Sequence, residues 1–148
     1  MKFFLIFTMI FLIVGCSSTT KSYQEPNVPE TESAFIQIED VGLFIESHEL
    51  VAKFETVTVK RGDVIAETSL LSEVPRKLVL LPGEYVFEIR CADNNGAGGL
   101  FSWHEVTYTV GKGESYIASC VYSKTGEFMA FLSSKQNFDE ERARLSGK

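Results

Sequence analysis

Leu80-Leu81-Pro82-Gly83-Glu84-Tyr85-Val86-Phe87-Glu88-Ile89-Arg90-Cys91 is the stretch that decides the fold. From Glu84 onward it alternates: Tyr85, Phe87, Ile89 and Cys91 share one phase, while Glu84, Glu88 and Arg90 share the other. Successive side chains of a strand point to opposite faces, so this pattern predicts a strand with one face in a core and one in water. Pro82-Gly83 suits the central positions of a type II turn, which would set a second strand at about 77–81 just before it.

Residues 115–123 repeat the pattern. Tyr116, Ala118, Cys120 and Tyr122 alternate with Ser119 and Ser123, although Ile117 and Val121 imply that the second face is partly covered as well. Further strands are expected at about 34–39, 43–46, 54–60, 104–110 and 127–132, while 48–54 suits either a helical turn or a strand. Gly111-Lys112-Gly113 allows positive φ between two strands, and Lys124-Thr125-Gly126 suits a hairpin. Many short strands with regular punctuation predict an all-β chain, a single small antiparallel β-sandwich over 34–134. In 135–148, Asn137 can cap a helix with Glu140 three residues on, and a short helix or a frayed tail is expected.

Leu80-Leu81-Pro82-Gly83-Glu84-Tyr85-Val86-Phe87 resembles the strand-turn-strand of small prealbumin-like and PEGA-type β-sandwich domains of bacterial envelope proteins. Val110-Gly111-Lys112-Gly113-Glu114-Ser115-Tyr116-Ile117 resembles a companion motif of some such lipoproteins. Both motifs imply a turn and strands, and neither specifies chemistry.

The amino-terminal end carries a second resemblance. Leu12-Ile13-Val14-Gly15-Cys16 closes an apolar run over 3–14 and is similar to the lipobox of bacterial lipoproteins. A run of this length is too short to span a bilayer, which takes about 20 apolar residues, and suits a signal-peptide core. The resemblance implies that residues 1–15 are removed and that Cys16 is lipidated, the acyl chains anchoring the protein to a membrane. Ser17 after the Cys implies, by likeness to lipoproteins of bacteria with two membranes, sorting to the outer membrane; in a single-membrane bacterium the place is the cell surface. A plain cleaved signal or an uncleaved anchor is the alternative. Residues 16–33 are rich in Ser, Thr, Glu and Pro, and are expected to form a disordered tether.

The 148 residues hold 14 basic and 20 acidic side chains, a formal net charge of -6, which argues against nucleic acid as a partner. With Cys16 lipidated, Cys91 and Cys120 remain, both on the aromatic phase of their strands. Export would favour a disulfide between them, the alternative being two buried thiols. His48 and His104 lie far apart without a nearby ligand set, so no metal is expected. Asp93-Asn94-Asn95-Gly96 superficially resembles the start of a calcium loop, but its twelfth position is His104 where a Glu belongs. Gly96-Ala97-Gly98-Gly99 lacks the Lys-Ser/Thr ending of a phosphate loop, and no Gly-x-Ser-x-Gly elbow occurs. No catalytic residue and no cofactor is assigned. Leu100, Phe101 and Trp103 follow the Gly-rich segment and either form a contact patch or, the favoured reading, let Trp103 plug one end of the core. The function expected is that of an envelope lipoprotein acting as a non-catalytic structural or protein-interaction module at the membrane. The alternative is a glycan- or peptidoglycan-binding module, so the partner is an envelope protein or a cell-wall polymer.

Overall fold

The computed structural model describes residues 21–39, 50–70, 72–93 and 99–147. Cys16 and the strand expected at 43–46 lie outside the described residues. Eight strands form two four-stranded sheets: β1 (Ala34–Ile38), β4 (Lys77–Leu80), β7 (Ser115–Tyr122) and β8 (Phe128–Ser134) in the order β4-β1-β7-β8, and β2 (Leu50–Val59), β3 (Val64–Glu67), β5 (Gly83–Asp93) and β6 (Phe101–Val110) in the order β3-β2-β5-β6. The chain is a small all-β sandwich, as the alternation predicts. Every pairing is antiparallel except that of β1 with β7, which runs parallel from Phe35 opposite Ser115 to Ile38 opposite Ala118. That exception is a matter of long-range topology, on which periodicity is silent.

The two faces meet as the pattern requires. Tyr85, Phe87, Ile89 and Cys91 of β5 are all buried, and so are Tyr116, Ala118 and Cys120 of β7. Cys91 and Cys120 form a disulfide between the sheets, with 5.8 Å between their Cα atoms, inside the span such a bond needs. In β2 the buried residues run 50, 52, 54 and then 57, because the register shifts between Phe54 and Thr56. This bulge inserts one residue and restores the inward phase for Val57.

Two sheet-crossing corners follow from the quoted motifs. The type II turn expected at Pro82-Gly83 is absent. Gly83 is the first residue of β5, opposite Val110, and does not have positive φ. The chain passes from one sheet to the other here. Pro82 has no N–H to continue the β4 ladder, and the Tyr85 ring packs over Gly83, where a Cβ would meet it in ordinary contact at 3.4 Å. The Tyr85 hydroxyl donates to the Leu81 carbonyl at 2.8 Å and pins the corner. The second crossing, from β6 to β7, uses Gly113 at φ +71. There the Gly111 N–H donates to the Tyr116 hydroxyl at 2.7 Å, and that hydroxyl donates to the Glu114 carboxylate. Burial, then the bond to Glu114, pushes the Tyr116 phenol up to about 12, so it stays a donor.

The expected tether is corrected over its described part. Residues 21–33 lie against the domain as a strap ending in a single 3-10 turn, Glu30–Glu32. The Tyr23 hydroxyl accepts from the Val79 N–H and donates to the Val79 carbonyl, both at 2.8 Å, capping edge strand β4. The Glu67 N–H of edge strand β3 donates to the Lys21 carbonyl at 3.2 Å. Composition suggests disorder because the segment has few apolar residues, but one tyrosine supplies both the ring that packs on the core and the hydroxyl that satisfies the edge.

Strand β3 is not among the expected strands, although the turn chemistry of Arg61-Gly62-Asp63 precedes it. Arg61 there takes φ 61. Of the two readings of 48–54, β2 supports the strand from Leu50 on. Helix α1 (Phe138–Ser146) packs over the outer face of β7 and β8, with Phe138 stacked on Phe131 at 5.3 Å and Leu145 beside the same cluster. This is the cover that Ile117 and Val121 imply. Asn137 stands at the N-cap but makes no side-chain capping bond. Asp139, Glu140 and Glu141 in the first turn complement the helix dipole instead, and Gly147 at φ 74 ends the helix.

The double variant Cys91→Ala/Cys120→Ala should lose about 3 to 4 kcal/mol in urea unfolding, the chain-entropy value for a loop of this size. The non-reduced protein should weigh two protons less than the reduced one. Tyr23→Ala should speed tryptic cleavage after Lys21, where Ser22 follows; equal rates in the two proteins would mean that the strap is not held by Tyr23.

Candidate functional site

At the end of the sandwich away from the corners lie the last residues of β1, β5 and β7 and the first residues of β2, β6 and β8, as the registers Leu50–Asp93, Ala92–Phe101 and Tyr122–Phe128 require. The residues that stand out there are on β6. Leu100, Phe101 and Trp103 are 74, 52 and 54% exposed. Trp103 therefore does not plug the core: in β6 the odd-numbered residues from 101 to 109 face water and the even-numbered ones face inward. Strand phase places the side chain outside, and the parity of β6 against the buried Val110 is the signal that shows it. Phe101 and Trp103 meet edge to face, with ring centroids 4.9 Å apart and planes inclined at 83°, a geometry that the aromatic quadrupole favours.

Neighbouring strands extend this surface in rows. Phe101 lies beside Ala92 of β5 and that beside Val51 of β2; Trp103 lies beside Arg90 and that beside Lys53. Both cations are already paired, Arg90 with Glu55 at 3.1 Å and Lys53 with Glu73 at 2.9 Å. The hydrogen bond from Lys53 and its charge hold the Glu73 carboxyl below the usual carboxylate range. One row further on, Glu105 lies opposite Glu88, which accepts from the Thr56 hydroxyl at 3.0 Å.

The inner face of β6 carries a pair that no sequence motif marks. The Ser102 hydroxyl and His104 Nε2 are 2.7 Å apart. The i,i+2 spacing on a strand brings them to one side. Burial pushes the imidazole down from its ordinary value. Asp93 is held elsewhere, its carboxylate accepting from the Tyr122 hydroxyl at 2.9 Å. The remaining positions of the calcium-like and Gly-rich segments, 94–98, lie outside the described residues, as does His48. Among the described residues no three His, Cys, Asp or Glu side chains gather into a metal-sized cluster.

A hollow of about 190 Å³ sits under the strap between Tyr23, Pro26, Ile65, Leu81 and Tyr85. It is apolar and belongs to the seam that the strap closes. The exposed aromatic face of β6 is the candidate site. No family model, no curated protein and no solved structure matches the chain.

The neutral imidazole of His104 is favoured on folding, so its folded pKa lies below the unfolded value of about 6.5. The folded state then binds fewer protons, and stability is full above that value and falls as pH drops through it. His104→Gln should lose less thermal stability than the wild type between about pH 7.5 and 5.5. Equal slopes would show that the ring is indifferent to its charge.

Proposed function

We propose that the chain is an envelope lipoprotein, held to the membrane by acyl chains on Cys16, whose sandwich works as a non-catalytic protein-interaction module. The observation that carries the interaction role is the exposure of Phe101 and Trp103 together on one sheet face, since a contiguous apolar patch on a small domain marks a contact surface. Three further features support the address. The sequence Leu12-Ile13-Val14-Gly15-Cys16 has the lipobox form. The Cys91–Cys120 disulfide suits an oxidising compartment. Ser17 in place of Asp favours the outer membrane over the inner one.

The strap gives the anchor a direction. Lys21 is already bonded beside β3, so only residues 16–20 separate the lipid from the domain. Even fully extended, that many residues reach about 18 Å at most. The β3 side is held near the headgroups. Strand β6 lies three positions across the sheet. At the usual spacing of paired strands it stands about 14 Å from β3 within the sheet, on the side opposite the strap's attachment.

A peptidoglycan-binding role draws support from the same Trp103, because a sugar ring can stack on an exposed indole. Purified cell wall that sediments the wild type and not Trp103→Ala would favour that reading. For the anchor, the thioether needs the Cys16 sulfur. Cys16→Ser should abolish incorporation of labelled fatty acid and leave the precursor unprocessed; labelled Cys16→Ser protein would overturn the lipoprotein reading.

A further inference from the structure

The four sheet edges are not treated alike. β4 is capped at Val79 by Tyr23, and β3 donates to the strap at Glu67. β8 has seven residues, and its outer face is occupied by α1. β6 has ten residues, all paired with β5 without a bulge, and among the described residues its backbone finds no hydrogen-bond partner on the other side. Alternate N–H and C=O groups of such an edge point outward and are competent to pair with another strand. The usual protections are missing: the sequence Phe101-Ser102-Trp103-His104-Glu105-Val106-Thr107-Tyr108-Thr109-Val110 has no Pro, Gly or Lys.

Side chains beside that edge select the kind of strand. Glu105 sits opposite Glu88, a like-charged cross-strand pair, and neither has an ion-pair partner among the described residues. The nearby cations are engaged, Arg90 with Glu55 and Lys60 with Glu84. A strand added to β6 would place one residue against Glu105 and its same-face neighbour, two positions along, against Trp103. We propose that β6 binds an extended segment of a partner protein by strand addition, with a Lys or Arg set against Glu105 and an apolar residue two positions away against Trp103. This deepens the interaction-module reading and rests on it. A second copy of the chain fits poorly, because β6 carries no Lys or Arg to meet Glu105.

Trp103 is the chain's one tryptophan, so its emission reports the site. The full-length chain in detergent is titrated with a blocked synthetic peptide, Thr-Leu-Thr-Lys-Thr-Val-Thr, and with its twin carrying Glu for Lys. The Lys peptide should shift the emission to the blue and bind at least about five-fold tighter than the twin, a gap of about 1 kcal/mol. Glu105→Lys should reverse the order. Methylating one alternate set of peptide amides should abolish binding and methylating the other set should spare it, the signature of a strand that pairs along one side. Four results overturn the proposal: no shift with either peptide, equal effects of the two methylated sets, a shift produced by raising the protein concentration alone, or a shift with soluble peptidoglycan fragments and none with peptide. These results are independent of fatty-acid labelling at Cys16, so a labelled chain with an inert β6 sinks this inference alone, and an unlabelled chain that binds peptide sinks the anchor reading alone.

Discussion

Burial of one face of β5 is the constraint on which the rest of the molecule depends. β5 is paired on both sides, with β2 and β6, and its inward residues Tyr85, Phe87, Ile89 and Cys91 run the depth of the core. Each end of that row is tied to something outside its own sheet. At one end the Tyr85 hydroxyl holds Leu81, where the chain arrives from the other sheet. At the opposite end Cys91 is bonded to Cys120 of β7. A shift of β5 by one residue would turn all four side chains to water and break both ties at once, so register is set strongly.

The two tyrosine-bearing motifs are alike for a physical reason. Each sits where the chain leaves one sheet for the other, and such a corner exposes backbone groups that no ladder can pair. Tyr85 satisfies a carbonyl and Tyr116 an N–H, each from a ring already buried in the core. A third tyrosine, Tyr23, plays the same part for an edge, taking both backbone groups of Val79. The outcome is a sandwich whose β4 edge is met by the Tyr23 side chain and whose β3 edge is met by the Lys21 carbonyl, while among the described residues the β6 edge has no such partner.

What is legible in the sequence is local. The period-two patterns of β5 and β7 place both cysteines inward, and Ile117 with Val121 announce the cover that α1 provides. Gly113 and Gly126 carry the positive φ their turns require. Features set by distant contacts are not legible. Gly83 belongs to a strand because Val110 pairs with it, β1 runs parallel to β7 because of where the chain returns, and the strap is ordered because Val79 offers it an unpaired edge. Trp103 departs from the core-plug expectation because strand parity, and not hydrophobicity, decides which way it points, and Leu100 and Phe101 are exposed beside it.

The difference between the two sides of the sandwich is most directly read by residue-resolved amide hydrogen exchange on the isolated protein. The Val79 and Glu67 amides should be protected, since they donate to Tyr23 and Lys21, while along β6 protected and unprotected amides should alternate. Uniform protection along β6, or fast exchange at Val79, would contradict a closed β4 edge and an open β6.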